Sequence, residues 1–332
     1  MMDPIANKLI DCIHNLSSTA VDRLLALALE MLNDETITVD VCPYCGGRHI
    51  VRFGKKCGKQ RYLCRACGKT FVTTTHTIMS MSHYPPTVWK DVATSTLNGD
   101  ALDFTAKHLG LSHQCVFNMR HKILLALQDI TAADPVILGQ VSELDETFVL
   151  ECLKGKKLPP DIDRPARRHG AKAQKRGISA EYICINTGVQ RDGGAVAEAI
   201  NRAKPDGTEL RQVYSDHLKD GVLLLCDGLK SYSALKGLAD CTIKDINTAD
   251  ETEKGFYHLN TVNNFHSFIK DRYDFYRGVA TKYLNRYNTL FSLVWRRRES
   301  LAVDLYSKLF HPGTTDYHHG VKDVREMRLL VL

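Results

Sequence analysis

Two cysteine pairs, Cys42-Pro-Tyr-Cys45 and Cys64-Arg-Ala-Cys67, restrict what this chain can fold into more than any other stretch. Thiolates two residues apart both reach one ion, and the glycine after each pair (Gly46, Gly68) permits the turn. Eighteen residues separate Cys45 from Cys64, and they read as a hairpin turning between Gly54 and Gly58. The expected unit is a zinc ribbon over 39–75, with Cys42, Cys45, Cys64 and Cys67 as four ligands of a structural Zn²⁺. Such a site has no open coordination position, so it holds a fold and performs no chemistry. Cys57, at the hairpin tip, stays outside the ligand set. Arg48, Arg52, Lys55, Lys56, Lys59, Arg61, Arg65 and Lys69 suit the ribbon to docking on DNA or protein.

A ribbon accounts for little of 332 residues, so further domains are expected. Eleven cysteines, an odd number spread along the chain, fit a reducing compartment better than a disulfide framework. No apolar run approaches the roughly 18 residues of a membrane span, and the N-terminus lacks a secretory pattern. The expectation is a cytoplasmic protein with no membrane partner. Net charge is +6, but its distribution says more than its sum: residues 154–176 hold nine Lys or Arg against two Asp.

Leucines at helical spacing over 19–33, with Ser17, Ser18 and Thr19 before them, predict a helical lead-in within 1–38. Helices are expected over 87–129. The one near Ala101 to His108 ends at Gly110, and Ser112 caps another from about His113 to Leu127. A helix, a glycine turn and a helix opening on polar residues is the helix-turn-helix pattern, here bounded at 84–130. Ser112, His113 and Gln114 are its candidate DNA contacts.

Beyond Pro135, Ser142–Leu150 alternates Leu144, Phe148 and Leu150 with Asp145, Thr147 and Val149. That is a strand with one face on a core and Asp145 on the other. By itself Asp145-Glu146 reads as ordinary solvated turn chemistry. Residues 181–190 form another strand, and the apolar run from Gly221 ends in Asp227, the pattern of a strand buried on both faces. Ligands collect at the carboxyl ends of such strands. From about Leu259 a helix sets Val262, Phe265, Phe268 and Ile269 against a polar side of Asn263, His266, Ser267 and Lys270.

The order of ribbon, helix-turn-helix, Leu-Asp145-Glu-Thr, Cys-Asp227-Gly with Lys230 and Tyr232 following, then His258-Leu-Asn260-Thr-Val-Asn263, resembles the DDE-type insertion-sequence transposases of the insertion-sequence 1595 (ISXO2-like) family. The likeness runs from about residue 40 to 298. It implies a mixed α/β, ribonuclease-H-like (retroviral-integrase-like) catalytic domain over 138–300, behind the two N-terminal modules and ahead of a tail, 301–332. It also implies two Mg²⁺ or Mn²⁺ ions held by Asp145, Asp227 and a third ligand at Asn263, where many relatives have Glu. Lys270, two turns on, matches the family's lysine. Glu146, His258 and Asn260 are possible supporting residues, with Glu146 expected on the opposite side of the strand from Asp145.

The implied function is binding of transposon ends, metal-dependent strand cleavage and transfer into target DNA by a homo-oligomer. Hard cations select carboxylate oxygen, and a pair of ions clamps an in-line phosphoryl transfer. Lys154, Lys156, Lys157, Arg164, Arg167, Arg168, Lys172, Lys175 and Arg176 would then neutralise phosphates beside the first aspartate strand. The alternative is a zinc-ribbon DNA-binding protein whose catalytic centre has decayed.

Overall fold

The computed structural model describes residues 39–56, 58–154, 181–202, 204–246, 255–276, 278–295 and 299–331, with 299–304 described in backbone alone. The lead-in expected within 1–38 lies outside these residues, as do Cys57 and all of the basic loop except Lys154. In chain order come β1 (Ile50–Lys56), β2 (Lys59–Cys64), β3 (Thr70–Val72), α1 (Pro86–Asn98), α2 (Leu102–Leu109) and α3 (His113–Ala133). Then follow β4 (Val141–Leu150), β5 (Tyr182–Gln190), β6 (Ala195–Asn201), α4 (Gly207–Tyr214), β7 (Val222–Cys226), a 3₁₀ helix (Lys230–Gly237) and β8 (Cys241–Asp245). The last helices are α5 (Asn260–Phe275), α6 (Leu284–Val294), α7 (Glu299–Phe310) and α8 (Val321–Glu326). No helix among the described residues is long and apolar enough to cross a membrane.

These residues form two compact units, one running up to Thr87 with the stretch that ends at Asp316, the other from Val88 with the segment from Tyr317. In the first, β1, β2 and β3 make an antiparallel sheet. Its core is small: Phe71 packs on Cys42 and Cys64, with Tyr62 stacked on Phe71 at 5.8 Å. The Sγ atoms of Cys42 and Cys67 are 3.7 Å apart, as are those of Cys45 and Cys64. A tetrahedron with Zn–S arms of about 2.3 Å has edges of about 3.8 Å, so the four thiols stand where a Zn²⁺ needs them. The backbone N–H of Cys67 is the main cause that lowers the Cys64 thiol to about 7. Helix α7 belongs here, its Leu309 carbonyl accepting from Ile78 N at 3.3 Å.

The second unit is built on a mixed five-stranded sheet of order β6-β5-β4-β7-β8, antiparallel from β6 to β4 and parallel from β4 to β8. Alternation along β4 divides its side chains between two layers. Leu144 enters a core with Leu210, Tyr214, Leu224, Tyr232 and Leu235, while α5 packs along β4 and β5. Gly188 pairs with Leu144, and a Cβ there would come within 2.7 Å of Leu138 and 2.9 Å of Leu144. Only glycine fits that close approach. At the sheet's open side the Asn285 amide accepts from Ala199 N at 2.8 Å and donates to Ala199 O at 2.9 Å, occupying part of the β6 edge.

Helices α1 to α3 belong to this same unit. Gly110, at φ 64°, ends α2, and the Ser112 hydroxyl caps α3 by accepting from Cys115 N at 3.2 Å. The elements and turn match the expected helix-turn-helix order. However, α3 is buried all round from Ile123 to Leu127 and packs on α2 and α6, so most of its length serves the core. Ser112, His113 and Gln114 are exposed at its tip. The stretch 301–332, read as a tail, divides between the units. Its last segment is bound to the second by His319 to Asp129 (2.6 Å) and by Arg286 to the Val324 and Met327 carbonyls (3.0 and 2.6 Å).

Candidate active site

Strand register brings the first two aspartates together. β4 runs parallel to β7 with Glu143 beside Leu225. Two residues further along each chain are Asp145, still within β4, and Asp227, just past the end of β7. Carboxylate oxygens of Asp145, Glu146 and Asp227 all lie within 4.8 Å of one another. Glu146 is therefore part of the cluster, a correction to its expected place away from Asp145. It leans toward the 3₁₀ helix, where the Tyr232 hydroxyl donates to its Oε1, and its oxygens still reach the shared space.

Burial dominates the electrostatics of this cluster. It raises Asp145 to about 6 against the helping bond from Glu146 N, and the Asp227 charge adds to the rise. Burial likewise raises Glu146 to about 7, with Tyr232 opposing and both aspartates reinforcing. Three converging carboxylates, two of them partly desolvated, repel one another unless a cation lies among them. The donor set is hard oxygen, which fits a divalent ion such as Mg²⁺ or Mn²⁺.

The third element, α5, is held to β4 by Glu143, which is fully buried. Its Oε2 accepts from the backbone N–H groups of Thr261 (2.7 Å) and Val262 (3.0 Å), as a carboxylate does at a helix N-terminus. Oε1 pairs with Arg191 Nε at 2.7 Å. Arg191 also donates to the His258 carbonyl at 3.1 Å and stacks on Phe256, its guanidinium carbon 4.9 Å from the ring centre. Toward its other end, Arg272 of α5 donates to the Asn98 carbonyl at 2.7 Å, over Gly99 at φ +82°.

Glu143→Ala leaves Arg191 without its carboxylate and the start of α5 without its acceptor. Loss of about 3 kcal/mol is expected, the scale for breaking one side of a buried pair, read as a lower denaturant midpoint. Glu143→Gln, which keeps an acceptor, should lose less. Equal midpoints for both variants and the wild type would refute this role.

Residues 137–297 match the model for "ISXO2-like transposase domain", a span that contains the whole cluster and α5. They belong to that family. The chain is also 27% identical over 267 residues to an "uncharacterized protein in transposable element ISH50" of Halobacterium salinarum, covering 78% of this chain and 85% of the relative. Likeness to solved structures is loose. The Mos1 strand transfer complex gives a TM-score of 0.29 at 13% identity over 69% of this chain and 77% of that one. A mariner Mos1 paired end complex with Mg gives 0.26 at 15% over 71% and 82%.

Within the transposase domain the other anticipated residues take separate places. Asn263 and Lys270 are exposed on α5, and the Lys270 charge reaches Asp145. His258 faces Glu143, its Nδ1 3.3 Å from Oε1, while Asn260 N donates to that same ring nitrogen at 3.3 Å. His266, placed by periodicity on the polar side of α5, is instead buried against β5, where its Nε2 meets Thr187 Oγ1 at 2.6 Å. Burial, with the Lys270 charge added, lowers its imidazole to about 4. Lys204, between β6 and α4, is a further cation whose charge acts on Asp145 and Glu146.

Sequence reasoning singled out neither Glu143 nor Lys204. Glu143 had a signal in the period of two that sets it on the Asp145 face of β4; Lys204 had none.

Proposed function

We propose that this chain is a DNA transposase that binds transposon ends and carries out metal-dependent strand cleavage and strand transfer on a ribonuclease-H-like domain. The observation that carries the reading is the convergence of Asp145, Glu146 and Asp227 oxygens within 4.8 Å where β4 passes the end of β7 in the middle of a mixed sheet, inside the matched transposase domain. Asp145, Asp227 and Glu146, with Asn263 from α5, would hold two Mg²⁺ or Mn²⁺ ions. Bound there, the ions would supply an activated water or 3′-hydroxyl and neutralise charge on the leaving oxygen. The chain's own part is to fix the carboxylates by β-sheet register, to set α5 through Glu143, and to hold the scissile strand with Lys270 and Lys204.

The tip of α3 (Ser112, His113, Gln114) and the basic loop from Lys154 through Arg176 are the proposed duplex contacts, the loop acting on phosphates. The ribbon holds a structural Zn²⁺, and two ends held together call for a homo-oligomer. A chain that binds ends without cutting them is the alternative, favoured by the neutral amide of Asn263 where a third carboxylate would hold metal more tightly.

Purified full-length protein should nick or join duplexes carrying its own element's ends in 5 to 10 mM Mg²⁺ or about 1 mM Mn²⁺, concentrations that cover the usual weak affinity of such sites. End binding with no metal-dependent cutting or joining would leave the alternative standing.

A further inference from the structure

His266 is 6% exposed, on α5 where it meets the sheet, and one oxygen sets its tautomer. The Thr187 hydroxyl oxygen is 2.6 Å from the Asp145 carbonyl oxygen and 2.6 Å from His266 Nε2. A carbonyl only accepts, so the single hydroxyl proton goes to Asp145 O, and the hydroxyl oxygen must accept from Nε2–H. With its proton on Nε2, the neutral ring carries a bare lone pair at Nδ1. That nitrogen lies 3.8 Å from Asp145 Oδ2. The gap is too wide for a hydrogen bond, and no proton stands between them.

Two donors on one ion, each about 2.0 to 2.2 Å from it, stand roughly 3 to 4 Å apart. Metal-ligating histidines also have their second ring N–H fixed by an acceptor, which Thr187 supplies here. His266 is not in the Asp145, Glu146 and Asp227 group, so its lone pair defines a separate position against Asp145. Asn263 lies one turn earlier on the same helix.

We propose that His266 Nδ1 is a nitrogen ligand to the second divalent ion, shared with Asp145 and adding a second neutral donor beside Asn263. The proposal rests on the transposase reading above. It assigns the two ions different shells, one all-oxygen and one mixed. A nitrogen donor favours Mn²⁺ over Mg²⁺ at the mixed position, because Mg²⁺ keeps to oxygen and water.

The test is pulsed electron paramagnetic resonance on the full chain titrated with Mn²⁺. The expected spectrum shows coupling to an imidazole nitrogen that changes when histidine is ¹⁵N-labelled and vanishes in His266→Gln, with Mn²⁺ affinity lowered roughly tenfold. Thr187→Val keeps both Asp145 and His266 but removes the acceptor at Nε2, and should weaken Mn²⁺ binding severalfold even if His266→Gln folds poorly. Mn²⁺ that binds through Asp145 with no histidine coupling, or coupling that persists in His266→Gln, overturns the assignment and leaves the transposase reading intact. Absence of any Mn²⁺ binding that Asp145→Asn abolishes overturns both.

Discussion

Asp227→Asn should abolish metal-dependent cleavage and joining, by about 10³-fold or more, while end binding stays within about twofold of wild type. The fold has little stake in this side chain: Asp227 is exposed just past β7, and its Oδ1 accepts from Leu229 N at 3.3 Å, a bond the amide oxygen of Asn also makes. What the change removes is charge at the point where three carboxylates converge. Asp145→Asn should lose activity to the same degree but stabilise the metal-free fold, since a buried, repelled carboxylate becomes a neutral amide.

The metal-free protein carries a pH signature of the same cluster. Asp145 at about 6 and Glu146 at about 7 lie above the ordinary carboxylate range of roughly 4 found in an unfolded chain. Between about pH 4 and pH 7 the folded state therefore binds more protons than the unfolded one, and stability falls as pH rises through that window. The penalty is absent below the unfolded values and complete above the folded ones. Chelated protein should melt lower at pH 7.5 than at pH 5.5, and Mn²⁺ should raise Tm more at pH 7.5. A chelated Tm that is the same at both values, or equal in Asp145→Asn and wild type at pH 7.5, would count against this account.

The second large effect is expected in the ribbon. About one Zn²⁺ per chain should be found, and its removal, or Cys64→Ser, should cost the β1–β3 sheet its order. A core of three buried residues, Cys42, Cys64 and Phe71, is too small to fold by apolar burial alone, whereas structural zinc contributes on the order of 10 kcal/mol. Hydrogen exchange on chelated protein should show β1–β3 amides unprotected and β4–β8 amides still protected. Protection unchanged in both sheets would show that the thiols need no ion.

Much of this arrangement was legible because it rests on local chemistry. Periodicity located β4, β5 and β7, glycine and serine marked the α2–α3 turn, and Asp227 stood out as the carboxylate that ends an apolar run. Register was not legible. Nothing local says that Thr187 lies opposite Asp145, or that Arg191 reaches back to Glu143, because these pairings are set by strands packing far from their own neighbours in sequence. The same gap explains Glu146 and His266. Alternation sent one away from the site, and helix periodicity sent the other to the polar side, but the crowded junction of β4, the 3₁₀ helix and α5 decides where each side chain ends.

Helix α5 is fastened at both ends, by Glu143 to the sheet and by Arg272 to the last turn of α1. Its sixteen residues make a strut of roughly 24 Å, stiff enough to carry a displacement from one end to the other. A shift of the α1–α3 bundle as its tip engages a duplex would pull on Arg272 and be delivered to the turn that bears Asn263 and His266. On the proposed reading, one helix would link the element that meets the duplex to the turn that bears Asn263 and His266.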